Sequence, residues 1–183
     1  NASAWLPFDF VRVWDTQYEG QNMLHWPNLR SQLSVISDID DTIKITEIPK
    51  GKAVVLRNTF YEPCRIVTTM VDRYQGLASQ GVNFHYVSGA PWQLASVLHR
   101  CLFEGGDPAA SSDGLKQFPM GTFHLRTLRK NLLTLNGWRD ILDFAQHDAI
   151  KTHKLTTIRE LLTQHPQRQF MLIGDSGELD PEI

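Results

Sequence analysis

Two aspartates separated by one residue follow the short apolar run 33–37, and their spacing suits chemistry on a phosphate ester. One carboxylate of this pair, Asp38 and Asp40, could attack phosphorus and form an aspartyl-phosphate. The second could protonate the leaving oxygen and then activate water. Because aspartate is also common in turns and helix caps, an acidic turn or a helix cap is the alternative for this segment.

Ser88 and Gly89 follow the apolar run 82–87 and precede a predicted helix. A serine hydroxyl at a strand end can bind a phosphate oxygen, and the free N–H groups of a helix N-terminus favour the same anion. Gly89 would let that ligand approach the backbone closely. The structural alternative is a serine that caps the helix.

A cation and two more aspartates come later in the chain. Lys154, expected at the start of a third helix, could neutralise charge on a transferring phosphoryl group, although a solvated lysine is the alternative and Lys151 competes with it. Asp175 and Asp180 could complete an Mg²⁺ site begun by Asp38, since Mg²⁺ prefers hard oxygen ligands. A Gly/Asp turn is the alternative for that loop.

The elements that must position these residues alternate between strands and helices. Apolar runs predict strands at residues 33–37, 82–87, 121–125 and 170–173, and stripes of helical period predict helices within 66–78, 94–102 and 155–162. Such alternation indicates an α/β fold, a Rossmann-like doubly wound parallel sheet with helices on both faces. Ligands of these sheets bind at the carboxyl ends of the strands, where the polar residues stand.

The chain of 183 residues suits one catalytic core, which we place at 31–183 after an N-terminal arm or extension at 1–30. The net charge of −2 provides no global basic field for nucleic acid. No apolar run approaches the roughly 20 residues of a transmembrane segment. We expect a cytoplasmic or peripheral membrane protein, but the chain begins with Asn1, so processing of a secreted precursor stays open.

Cysteine and histidine spacings predict no metal or redox motif. Cys64 and Cys101 are expected to be buried free thiols. The seven histidines lack the ligand spacing typical of a zinc site. The chemistry is therefore expected to rest on carboxylates.

The order Asp-x-Asp-x-Thr, Ser, Lys and Gly-Asp over residues 33–183 resembles the haloacid-dehalogenase-type phosphatase superfamily. The resemblance implies that Asp38 is the nucleophile and that Asp40 is the general acid and base. It implies phosphate contacts from Ser88 and Lys154, with Thr42 fixing the motif by hydrogen bonding.

The same resemblance implies Mg²⁺ as cofactor. Its ligands would be Asp38, the main-chain carbonyl of Asp40, and Asp175, with Asp180 in support. It also implies a further helix and strand, so we expect the chain to be truncated after Ile183.

Several longer segments narrow the resemblance to the catalytic domain of actin-patch-protein-type phosphatidate phosphatases. They are SDIDDTIK at 37–44, LRNTF at 56–60, FHYVSGAPW at 84–92, HLR at 124–126 and GDSGELDPE at 174–182. The family implies Mg²⁺-dependent hydrolysis of phosphatidate to diacylglycerol. The alternatives are a soluble phosphomonoester or phosphoprotein as substrate, and a binding domain that has lost catalysis.

Two segments are expected to control access to the site. Residues 43–57 read as a hairpin flap that turns at 49–52. Residues 127–150 form an inserted, cap-like amphipathic segment. It could contact an anionic lipid surface, although a helix pair packed on the sheet is the simpler interpretation and the one we favour.

Overall fold

The computed structural model describes residues 4–9, 21–26, 31–47, 50–51, 54–55, 57–58, 61–104, 116–127 and 147–175. Within them lie strands β1 (Ala4–Asp9), β2 (Gln21–Trp26), β3 (Leu33–Asp38), β4 (Asn83–Pro91), β5 (Thr122–Arg126) and β6 (Gln169–Ile173). The helices are α1 (Thr68–Ser79), α2 (Ala95–Phe103) and α3 (His147–Gln164), and a short 3₁₀ turn, Trp92–Leu94, precedes α2. The four predicted strands and three predicted helices are therefore present.

The central sheet has the order β5-β4-β3-β6, and all of its neighbouring strands are parallel. This confirms the α/β class and the parallel sheet. Strands β1 and β2 form a separate antiparallel pair within the segment predicted to be an arm. The division into an arm and a core stays a prediction.

Helices cover both faces of the sheet. Side chains alternate along each strand, so apolar residues of β3 point to both faces and each face packs against helices. Val35 belongs to the larger apolar cluster, which takes in Val71 of α1 and Leu98 of α2. Its neighbour Ile36 belongs to a second cluster with Leu161 of α3. The two clusters bury strand β3 from both faces of the sheet. No helix in the part of the chain that the structure describes is long and apolar enough to cross a membrane.

The predicted hairpin over 43–57 is wrong at the positions that the structure describes. Val54, Val55, Arg57 and Asn58 have helical backbone, and the N–H groups of Val54 and Val55 donate to the carbonyl of Gly51. Lys44 forms an antiparallel bridge with Ile66 instead of pairing inside a hairpin. The described positions 54, 55, 57 and 58 therefore lie in helical turns and not in a second strand.

The expectation of two free thiols is also wrong, because Cys64 and Cys101 form a disulfide. Their Cα atoms lie 5.6 Å apart, although 37 residues separate them in sequence. The bond joins the segment before α1 to α2. This proximity arises from tertiary packing and cannot be predicted from the spacing of the cysteines in the sequence.

The cap-like insertion lies outside the described residues between 128 and 146. Residues 176–183, which include Asp180, lie outside them as well. The proposals for these two segments stay predictions.

Candidate active site

Asp38 stands at the carboxyl end of β3 and is 6% exposed. Its Oδ1 forms an ion pair with Nζ of Lys154 at 2.8 Å, and its Oδ2 accepts a hydrogen bond from the Thr42 hydroxyl at 3.3 Å. Both carboxylate oxygens therefore have a fixed environment. Thr42 lies in the turn that directly follows the strand, so one short segment supplies the carboxylate and its support.

Lys154 reaches Asp38 from the side of α3 rather than from its start. The helix begins at His147, so the expectation that Lys154 opens it is wrong by about two turns. Lys154 is 3% exposed, whereas Lys151 is only partly buried. Lys154, one of the two competing lysines, forms an ion pair with the predicted nucleophile.

A buried pair of hydroxyls supports the backbone of Asp38. Ser37 Oγ donates to the Asp38 carbonyl at 2.7 Å and lies 2.9 Å from the Tyr74 hydroxyl. Since the single hydroxyl proton of Ser37 goes to that carbonyl, Tyr74 donates to Ser37. Burial is the main cause that raises the pKa of Tyr74 to about 12, so this donor keeps its proton at any physiological pH. Neither hydroxyl was among the residues predicted from the sequence to form the site.

Ser88 holds Asp40 in this structure. Its hydroxyl donates to Asp40 Oδ2 at 2.8 Å and accepts the N–H of Ala90 at 2.9 Å. Strand β4 continues to Pro91 and α2 begins only at Ala95, so the predicted helix N-terminus beside Ser88 is wrong. Any phosphate contact of Ser88 would therefore come from its hydroxyl and the extended backbone around it.

Gly89 packs against α3. A Cβ atom added there would lie 3.0 Å from Cγ1 of Ile150, which is tighter than ordinary van der Waals contact. Ile150 and Lys154 are four residues apart and share one face of the helix. The missing side chain of Gly89 thus lets α3 approach β4 closely enough to bring Lys154 to Asp38.

Two further residues of the site were not recognised from the sequence. Thr46 Oγ1 donates to Asp40 Oδ1 at 2.7 Å, and Lys44 Nζ donates to Thr46 Oγ1 at 2.8 Å. Both residues lie in the segment that was predicted to form a hairpin flap. In the structure their side chains connect to Asp40. No local sequence pattern indicates that these two polar side chains are buried.

The oxygen donors of the site suit Mg²⁺. The described residues contain no group of three or more acidic, histidine or cysteine side chains that could hold a metal ion. Mg²⁺ needs fewer, because it commonly binds one or two carboxylates and keeps several waters. Asp38 and Asp175 stand at the carboxyl ends of neighbouring parallel strands, β3 and β6, and the Asp40 carbonyl is a third candidate donor. Asp180 lies outside the described residues.

Histidines line the sheet beneath α3. His85 Nδ1 and His124 Nε2 each lie within 3.0 Å of the Thr122 hydroxyl, and His153 Nε2 lies 3.3 Å from the His124 carbonyl. Burial is the main cause that lowers the pKa of both His124 and His153. These side chains are therefore neutral near pH 7 and contribute to packing on this face.

The arrangement as a whole can do phosphoryl chemistry. One carboxylate lies against an ammonium group, and a second carboxylate, two residues away, accepts hydroxyl hydrogen bonds on both of its oxygens. The first is suited to attack on phosphorus beside a cation, and the second to proton transfer. These groups converge from β3, β4, α3 and the segment after β3.

Residues 33–183 match the family described as "Phosphatidate phosphatase APP1, catalytic domain". The chain is 30% identical over 156 residues to an uncharacterised protein of Schizosaccharomyces pombe, covering 84% of this chain and 22% of the relative. It is 28% identical over 153 residues to "Phosphatidate phosphatase APP1" of Saccharomyces cerevisiae, covering 82% of this chain and 22% of that protein. The chain thus spans about a fifth of the length of these relatives. No solved structure matches it significantly.

Proposed function

Because this chain belongs to the family of phosphatidate phosphatase APP1 catalytic domains, we propose that it hydrolyses the phosphate monoester of phosphatidate and releases diacylglycerol. The observation that carries the proposal is the pair of carboxylates at the end of β3. Asp38 lies against Lys154, while Asp40 is held by separate hydroxyl donors. Different surroundings for two neighbouring carboxylates suit two different roles.

The proposed reaction has two steps, as in the haloacid-dehalogenase-type superfamily that the motifs resemble. A carboxylate oxygen of Asp38 attacks phosphorus, and the bond between phosphorus and the lipid oxygen breaks as Asp40 gives that oxygen a proton. A water molecule then attacks the aspartyl-phosphate. Asp40 takes its proton, and inorganic phosphate leaves.

The remaining residues bind and orient the phosphoryl group. Lys154 provides positive charge beside the oxygen atoms that carry the developing negative charge. Thr42 keeps the Asp38 carboxylate in one orientation through its hydrogen bond to Oδ2. A phosphate contact from Ser88 stays a prediction, since its hydroxyl here donates to Asp40.

Mg²⁺ is part of the proposal, with Asp38, the Asp40 carbonyl and Asp175 as its ligands and Asp180 in support. When bound, it would neutralise phosphoryl charge and help to orient the phosphate. The hard oxygen donors of these residues support the assignment of Mg²⁺. Calorimetric titration of Mg²⁺ into the protein and into Asp175→Asn tests it without substrate, and equal affinities would contradict it.

The experiment that tests the proposed function measures phosphate release from phosphatidate in mixed micelles and from a soluble aryl phosphate. The parent, Asp38→Asn and Asp41→Asn are compared. Asp41 is the matched control, because it is the adjacent aspartate and asparagine keeps the Oδ1 that accepts the backbone N–H groups of Thr46 and Glu47.

We expect the parent to hydrolyse phosphatidate, Asp38→Asn to lose activity, and Asp41→Asn to keep more of it. Activity on the soluble ester alone would preserve the chemistry and refute the lipid assignment. Inactivity of the folded parent on both esters would favour a binding domain.

A further inference from the structure

The Asp40 carboxylate is held from opposite sides by donors of different elements. Ser88 of β4 donates to Oδ2, and Thr46 of the segment after β3 donates to Oδ1. The ammonium of Lys44 lies behind Thr46, 2.8 Å from its hydroxyl oxygen and 3.8 Å from Asp40 Oδ1. The direct contact between Lys44 and Asp40 is therefore long, and the hydroxyl of Thr46 connects them.

The directions of these hydrogen bonds follow from the chemistry of the groups. A lysine ammonium can only donate, so the Thr46 oxygen must accept from Lys44. The single hydroxyl proton of Thr46 is then left for Asp40. Hydrogen bonds with a charged partner are stronger than neutral ones, so Lys44 fixes the rotation of the Thr46 hydroxyl.

The backbone of Thr46 is held as firmly as its side chain. Its N–H donates to Asp41 Oδ1 at 2.8 Å, and its carbonyl accepts Nδ2 of Asn58 at 3.0 Å. Thr46 is 1% exposed and Lys44 is 2% exposed. Removing a lysine ammonium from water costs free energy. Contacts that only stabilise a loop do not require a buried charge. The burial of this cation beside a proton-transfer group therefore points to a role in the reaction.

We propose that Lys44 and Thr46 are positioning residues that hold the Asp40 carboxyl in the orientation needed to protonate the leaving oxygen. This inference rests on the proposed function, in which Asp40 is the general acid. A general acid matters most for a poor leaving group, such as the alkoxide of diacylglycerol. It matters little for a phenolate that leaves without a proton.

The test compares kcat/KM for a short-chain phosphatidate and for 4-nitrophenyl phosphate in the parent, Thr46→Val and Thr46→Ser. Valine keeps the shape of threonine and removes the hydroxyl, whereas serine keeps the hydroxyl. We expect Thr46→Val to lose about 10- to 100-fold on phosphatidate and less than about 3-fold on the aryl ester. Thr46→Ser should restore most of the loss.

Lys44→Met provides a second route and should show the same selective loss on phosphatidate. If Lys44→Met does not fold, the result for Thr46→Val alone tests the proposal. Thermal unfolding of each variant reports whether it remains folded. A loss of equal size on the two esters, or no loss, in Thr46→Val would overturn the positioning role and leave Thr46 as a loop contact.

Asp40→Asn separates failure of this inference from failure of the proposed function. A selective loss on phosphatidate in Asp40→Asn, with no selectivity in Thr46→Val, retains Asp40 as the acid and refutes the positioning role. If Asp40→Asn loses activity equally on both esters, Asp40 is not the general acid. The inference about Lys44 and Thr46 is then refuted as well.

Discussion

Nζ of Lys154 and Oδ1 of Asp38 lie 2.8 Å apart, and each side chain is at least 95% shielded from solvent. One residue belongs to α3 and the other to the end of β3, so the pair joins the helix to the sheet edge. Two opposite charges removed from water depend on each other for compensation. The contact that supports the fold is also the one proposed to support catalysis.

Replacing Lys154 by methionine should lower kcat/KM by about 100- to 1,000-fold, because a cation beside the developing phosphoryl charge is lost. Phosphate release under Mg²⁺ measures this change. Lys151→Met is the matched control, since Lys151 is one turn earlier on the same helix and only partly buried. Equal losses in the two variants would contradict the assignment of Lys154.

The same pair should show strong coupling in stability. Lys154→Met removes the ammonium partner of a buried carboxylate and should cost about 3–5 kcal/mol, and Asp38→Asn removes the carboxylate partner of a buried ammonium. The double variant leaves neither charge alone, so it should be more stable than the sum of the single effects predicts. Urea unfolding of all four proteins measures the cycle. Additive effects would indicate that the pair is solvated.

Gly89→Ala should reduce activity through α3, because the new methyl group would lie 3.0 Å from Cγ1 of Ile150. A shift of the helix moves Lys154 away from Asp38, and a displacement of about 1 Å can cost about 100-fold in rate. The double variant Gly89→Ala/Ile150→Ala removes the clash and should recover part of the activity. Failure of this rescue would show that Gly89 acts by another route.

Acidification should destabilise the protein through His124 and His153. Burial lowers both pKa values below 6.5, so below that pH the unfolded chain binds protons that the folded chain does not. Their contribution is complete above about pH 6.5 and is lost as the pH falls toward the folded pKa values. Urea unfolding across this range should show it.

The double variant His124→Gln/His153→Gln should show a shallower dependence of the unfolding free energy on pH. A comparison near pH 8, where neither state binds these protons, measures the packing change alone. An unchanged slope would exclude these two histidines as its source.

Reduction of the Cys64–Cys101 disulfide should lower the free energy of unfolding by about 3–4 kcal/mol, the chain-entropy value for a loop of 37 residues. Unfolding with and without reductant measures this difference, and a Cys64→Ser/Cys101→Ser variant should be insensitive to reductant. Two titratable thiols in the unreduced, unfolded protein would show that the bond is not formed.

Much of the fold follows from local pattern. The apolar run 33–37 predicted the core of β3, and the stripe from Ile66 to Ala78 predicted α1, because burial on one or both faces imposes a period on the sequence. The parallel sheet then places Asp38, Ser88 and Asp175 at one edge, since parallel strands all end on the same side. The family resemblance added their proposed roles.

Local patterns were enough to predict the class of the fold and the edge of the sheet at which its polar groups meet. Long-range packing was needed to establish that Lys154 projects from within α3, that Cys64 meets Cys101, and that Lys44 and Thr46 turn toward Asp40. Each of these depends on residues distant in the chain or on which side of a short segment becomes buried. A polar side chain has the same local pattern whether it faces water or a buried carboxylate, and packing alone makes that choice.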